Sequence, residues 1–141
     1  MGTINVSRVL MGGIVGGLVY DVLAFVVDGV LLAPQWAEGM KALGHPNFSS
    51  STLIWFNVAG LAGGIATIWI YAAIRPRFGA GAKTAVFAGL VAWVLSALIP
   101  NLSFMWFTDL FAHQLMMMTT LGALIEILVG TLAGAALYQE Q

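Results

Sequence analysis

Four long apolar stretches, parted by short polar interruptions, make up almost the whole chain. They run from about Leu10 to Ala33, Thr52 to Ile74, Ala82 to Ile99 and Phe111 to Leu137. A bilayer core of about 30 Å is crossed by about 20 helical residues, and each stretch is close to that length. Their ends carry stop signals: Pro34 after the first, Arg75-Pro76 after the second and Pro100 after the third. The residue before a proline is pushed out of helical geometry, so these positions are expected to close the helices. Ser49, Ser50 and Ser51 offer N-caps to the second. The first stretch exceeds the apolar core of a signal peptide, and it is expected to be an uncleaved anchor. The pattern predicts an all-α fold: a four-transmembrane-helix bundle forming a single integral membrane domain over residues 1–141.

Composition agrees with that picture. Hydrophobic residues make up 60% of the chain and charged ones 8%, with a mean hydropathy of +0.96. A soluble domain carries roughly 25% charged residues on its water-facing surface, so lipid must solvate most of this one. The expected partner is therefore the lipid bilayer. A net charge of −1 gives no basic footprint for nucleic acid. The absence of cysteine excludes disulfides, thiolate zinc sites and iron–sulfur ligation.

The few basic residues are unevenly placed. Arg8 precedes the first span, and Arg75, Arg77 and Lys83 crowd the second loop, whereas the other two loops share only Lys41. The positive-inside bias then puts both termini and the second loop in the cytoplasm. The first and third loops are expected outside.

Those outer loops look interfacial. In the first, Trp36, Met40 and Leu43 recur at helical spacing and Glu38 and Lys41 form an i,i+3 pair, before Gly44 and Pro46 end the segment. This predicts a short interfacial helix lying on the membrane. Phe104, Trp106 and Phe107 in the third loop read as an aromatic belt. Anchoring is the plain reading of both loops, and a lid over a pocket is the sharper one.

Spacing also hints at duplication. Gly17-Leu18-Val19 followed by Val22-Leu23 matches Gly89-Leu90-Val91 followed by Val94-Leu95, and the second and fourth spans share Gly63/Gly130 and Tyr71/Tyr138. A tandem two-helix repeat, with its symmetry axis along the membrane normal, is one reading. Chance matches in a Gly/Leu/Val alphabet are the other. Small residues also recur four apart, at Gly12/Gly16, Gly13/Gly17, Gly60/Gly64 and Gly130/Gly134. In lipid, helices associate through close backbone approach, so these pairs are expected to be helix-packing positions.

The chemistry-bearing residues are acids within the spans. Asp21 and Glu126 fall near the middle of their helices, with Asp28 and Asn57 nearer the outer side. A central charge costs roughly 2.5–3.5 kcal/mol on insertion scales, so such groups should face protein or a wet cavity. Asp21 and Asp28, seven apart, share a face with about 10 Å between them along the axis. These intramembrane polar residues support a proton or cation path running Asp28, Asn57, Asp21, Glu126. Equally they support buried, neutral carboxyls that tie helices together by hydrogen bonds.

Other constellations are sparser. His113 follows Asp109 by four residues and His45 lies on the same outer side, a weak candidate set for a metal or a haem iron. A metal site usually needs a third ligand and a supporting shell. Met116, Met117 and Met118 point three ways from a helix and read as packing. No nucleophile elbow, phosphate loop, dinucleotide fingerprint or HExxH motif is present, so nothing points to an enzyme and no cofactor is implied.

Two segments carry a resemblance: Gly29-Val30-Leu31-Leu32-Ala33-Pro34-Gln35-Trp36 with Met40 and Leu43-Gly44, and Tyr71-Ala72-Ala73-Ile74-Arg75-Pro76-Arg77-Phe78-Gly79 with Lys83-Thr84. They resemble a recurrent feature of small bacterial four-helix integral membrane proteins of unassigned function. The resemblance implies a bacterial inner (cytoplasmic) membrane location and the same topology, but no activity or site residue. The first functional expectation is an accessory or scaffolding subunit that joins other membrane subunits or a homo-oligomer. A proton-coupled transporter or channel using Asp21 and Glu126 is the alternative, and a redox protein holding haem or quinone near His113 is the third.

Overall fold

A computed structural model describes residues 3–45 and 47–140. Its described residues form five helices and no strand: α1 (Val6–Leu31), α2 (Ala33–Ala42), α3 (Ser50–Phe78), α4 (Ala82–Phe107) and α5 (His113–Ala136). All but α2 are long and apolar enough to cross a membrane, the build of a multi-pass membrane protein. Their outward faces carry Phe25, Trp55 and Leu95, each more than half exposed, which only a lipid solvent tolerates in such number.

Three of the four spans are longer than their apolar runs, because helices start before or continue past the signals expected to bound them, whereas α5 is shorter than the run from Phe111 to Leu137. At the start of α1, Asn5 caps the helix by accepting from the Arg8 N–H, five residues before the run expected from Leu10. Ser49 caps α3 in the same way from Thr52, as the serine cluster suggests. Pro76 falls inside the last turn of α3, which runs on until Gly79 ends it at φ 82°. Pro100 lies inside α4 rather than closing it. Proline removes one donor and clashes with the carbonyl four residues back. Here the preceding Val94–Leu98 opens into a π-turn that gives the ring room. A second π-turn, Val27–Leu31, ends α1, with the Leu32 N–H donating to the Val27 carbonyl at 2.8 Å. Pro34 then sits in the first turn of α2, where no intrahelical donor is lost.

The loop-one helix is present as expected. It ends in a Schellman closure: Gly44 adopts φ 80°, with Gly44 N–H donating to Lys41 and His45 N–H to Met40. Pro46, read as ending this segment, lies outside the described residues.

The four spans follow one another around the bundle, with α1 packed between α3 and α5. Two adjacent glycine pairs on α1 serve its two neighbours. Gly12 and Gly16 meet Gly134 and Gly130 of α5 head-on, and a Cβ on Gly16 would stand 2.7 Å from the Gly130 carbonyl oxygen. Gly13 and Gly17 meet Ile65, Leu61 and Gly64 of α3. All four small-residue pairs therefore pack within the chain itself, where backbone contact replaces the missing hydrophobic drive.

Side-chain packing concentrates at the end that holds the termini. Val9, Ile68, Tyr71, Ala72, Ala85, Ala88, Ala135 and Tyr138 form one buried cluster there. Tyr71 and Tyr138 meet edge to face at 5.9 Å, and Arg75 stands 5.3 Å over the Tyr138 ring and 3.8 Å from Glu140. The opposite end, under α2, is built from polar groups and aromatic rings.

Candidate functional site

The site lies along the seam between α1 and α5, from the α2 end inward. Asp28 sits in the π-turn that ends α1. Its Oδ1 accepts two hydrogen bonds, from Trp36 Nε1 of α2 and from Thr119 Oγ1 of α5, both at 3.0 Å. One carboxylate oxygen thus joins three helices. Its other oxygen, Oδ2, takes no protein hydrogen bond among the described residues.

Above Asp28, aromatic rings connect both loops of this end. Phe56, Phe48, Trp36, Phe111 and Phe104 follow one another at centroid separations between 5.3 and 6.5 Å. The Phe111 ring lies against Gly39, so any larger residue there would lift α2 from the bundle. Beneath this cover is a cavity of about 290 Å³ lined by Asp28, Gly29, Ala33, Trp36, Ala37, Met40, Asn47 and Phe48. Trp36, read from sequence as an anchor, is thus also a wall of this cavity. Trp106 and Phe107, 80% and 86% exposed, lie in the last turn of α4 rather than in the loop expected to hold them.

Two turns further along α5 from Thr119 comes Glu126, only 1% exposed. Its Oε1 is buried with no hydrogen-bond partner among the described residues. Gly122, one turn before it, and Val27 of α1 flank the carboxyl. Tyr20 of α1 stands within electrostatic reach of Glu126, Asp28 and Asp21. Asp21 itself points to the other side of α1. Its carboxyl lies against Gly60 of α3, in space that a Cβ at position 60 would occupy.

The four polar residues read as one path are therefore divided. Asp28 and Glu126 share the α1–α5 seam, whereas Asp21 lies on the α3 side against Gly60. Asn57 stays apart: it is exposed on α3 and donates to the Leu53 carbonyl of its own helix at 2.8 Å. One turn of α3 satisfies its amide locally, so nothing draws it inward.

Sequence reading did not single out four other polar residues of this half. Thr120 is buried, and its carbonyl accepts from Trp93 Nε1 of α4 at 2.9 Å while its hydroxyl accepts from Asn101 Nδ2 at 2.9 Å. With Thr119 bound to Asp28, the Thr119-Thr120 pair ties α5 to both α1 and α4. Trp93, Asn101, Thr119 and Thr120 had a usable signal, since a mid-span indole or amide must find a partner in lipid.

The histidines gather nothing further. His113 Nε2 is 3.2 Å from Asp109 Oδ1, but both side chains are largely exposed, and Asp109 precedes α5 in a turn at φ 50°. His45 follows α2 in an exposed loop. Among the described residues, no three His, Asp or Glu side chains converge as a metal would require. Of the three methionines read as packing, only Met116 is buried, while Met117 and Met118 are exposed.

No family model, curated protein or solved structure matches this chain.

Proposed function

We propose that this is a small transport protein that carries protons, or a solute coupled to them, along the α1–α5 seam from the α2 side. The supporting observation is Glu126, almost fully buried at mid-span with Oε1 unpartnered. A carboxyl kept to tie helices together should be hydrogen-bonded, because an unmet buried polar group is costly. Asp28, with its two donors, fits that structural description; Glu126 does not. Intramembrane acids held in such a state are typical of proton relays. The tyrosine-sealed opposite end fits a state open toward α2 only.

The same proposal takes the termini to be cytoplasmic in a bacterial inner membrane. Arg8, Arg75, Arg77 and Lys83 lie at the termini end, and the positive-inside bias supports that orientation. Proton flux into proteoliposomes tests the function. Wild-type protein should acidify the lumen, Glu126→Gln should abolish the flux and Asp28→Asn should reduce it. Flux unchanged in Glu126→Gln, or none in the wild type, would remove the proposal.

An accessory or scaffolding role finds its support elsewhere. The α1 and α5 glycines face each other, but α3 exposes Ala59, Ala62, Gly63 and Ala66 outward, with open space over Gly63. That face suits another subunit or a second copy. Gly63→Leu should then shift the particle to a smaller mass in native electrophoresis.

A further inference from the structure

We infer that the cavity beneath α2 is a binding site for a small organic ammonium cation. This deepens the transport reading by naming the solute class, and it rests on that reading for its purpose though not for its chemistry. Three features of the cavity converge. First, its wall holds a carboxylate with one oxygen fixed by Trp36 and Thr119 and the other left without a protein donor. The two donors orient the group and leave Oδ2 to attract a cation. Second, two aromatic side chains, Trp36 and Phe48, line the same space at an interplanar angle of 64°. Such a corner presents the electron-rich ring surface that alkylated ammonium groups prefer over water. Third, no basic side chain lines the cavity, and the loops around it carry Glu38 and Asp109 against the single Lys41. The local field therefore favours a positive guest.

Size narrows the class. A cavity of about 290 Å³ corresponds to roughly ten water volumes, enough for a trimethylammonium head with a short tail. Inorganic cations are poorly served. One monodentate carboxylate oxygen and the Asn47 amide fall short of the six or more oxygens a calcium ion takes, while Ala33, Ala37 and Met40 make the rest of the wall apolar. An apolar, aromatic pocket with one fixed charge suits a cation that carries its own methyl groups.

The guest could arrive as a free solute or as the headgroup of a lipid, since both present the same ammonium chemistry. Isothermal titration of the purified chain in maltoside detergent tests the site with three probes: choline, glycerophosphocholine and 3,3-dimethylbutan-1-ol, which replaces choline's nitrogen by carbon. Choline should bind, and the neutral isostere should bind about tenfold more weakly or not at all. Glycerophosphocholine tighter than choline identifies the lipid headgroup as the source, and the reverse order identifies the free solute. Asp28→Asn should weaken choline at least about tenfold, and Phe48→Leu, which keeps the apolar volume, should weaken it several-fold. Equal binding of choline and its neutral isostere overturns the inference, as does choline binding unchanged by Asp28→Asn. So does the absence of choline binding to folded wild-type protein. Titration in detergent reads no transport. A chain that binds choline but passes no protons keeps this inference and loses the transport reading, and one that passes protons without binding choline does the opposite.

Discussion

At the scale of single residues, glycine determines how closely the helices meet. A Cβ on Gly16 would stand 2.7 Å from a backbone oxygen of α5, which has no flexible end to move aside. Gly16→Ala should therefore destabilise the bundle by about 1–3 kcal/mol, as overpacking does. Gly63→Ala meets open space, so relief of backbone freedom should leave stability unchanged or raised by up to about 1 kcal/mol. Unfolding in graded denaturing detergent compares the two, and equal losses would show that glycine position is immaterial. Asp28 offers a second comparison. Thr119→Val removes one of its two donors without changing volume, and should cost about 1–3 kcal/mol because a partly buried acceptor loses a partner. Asp28→Ala/Thr119→Val together should cost less than the sum of the singles, since both remove the same bond. The sequence located the acids but not their partners. Membrane cost marks Asp21, Asp28 and Glu126 as inward-facing, whereas the Trp36–Asp28 bond spans a turn through Pro34 whose geometry no spacing rule supplies. Asn57 shows the reverse error, because an amide near a helix end can satisfy itself on its own backbone.

At the scale of elements, composition identified each span and local chemistry only part of each boundary. Ser49 caps α3 where the serine cluster suggests, and Gly44 ends α2 by a left-handed turn that only a residue such as glycine adopts cheaply. The prolines were less informative. Pro100 breaks an ordinary α-helix, but a π-turn just before it moves the clashing carbonyl, and α4 continues to Phe107. Nothing in the apolar run 94–98 signals that widening. If the π-turn absorbs the proline, Pro100→Ala should alter stability by less than about 1 kcal/mol, whereas Ala92→Pro, placed before the π-turn in regular helix, should cost about 3 kcal/mol or more. Helical circular dichroism with detergent unfolding measures both. A large loss in Pro100→Ala would mean that the proline itself holds the turn open.

At the scale of the whole molecule, the duplicated spacing has a structural counterpart. Four of the five buried positions of α1, Gly12, Gly13, Gly16 and Gly17, recur in α4 as Thr84, Ala85, Ala88 and Gly89, each 72 residues on; the fifth, Val9, does not. Three of the five buried positions of α3, Thr67, Ile68 and Tyr71, recur in and just after α5 as Gly134, Ala135 and Tyr138, each 67 residues on. The spacings differ in the direction expected from the longer first loop, which holds α2. The tyrosines make matching bonds: Tyr71 OH accepts from the N–H of Gly81, which caps α4, and Tyr138 OH accepts from the N–H of Asn5, which caps α1. Each two-helix unit therefore closes onto the start of the next, and the second closes back onto the first. Asn5 and Tyr138 lie 3.3 Å apart at these atoms, so the first and last described helices start and finish side by side. A circular permutant follows from this closure. Joining Gln141 to Met1 by a short glycine–serine linker and opening the chain between Gly79 and Gly81 exchanges one connection for its equivalent. Two-helix units cross and return, so the permutant keeps every span in its original direction across the membrane. It should insert, retain its helical content and unfold within about 2 kcal/mol of the natural order, because only an exposed loop is cut. Opening the chain instead within α2 should destabilise it more, since that cut releases Trp36 from Asp28 and Gly39 from Phe111. If the first permutant fails to fold while the second survives, the tyrosine closures are incidental and the bundle depends on the covalent loop between α3 and α4.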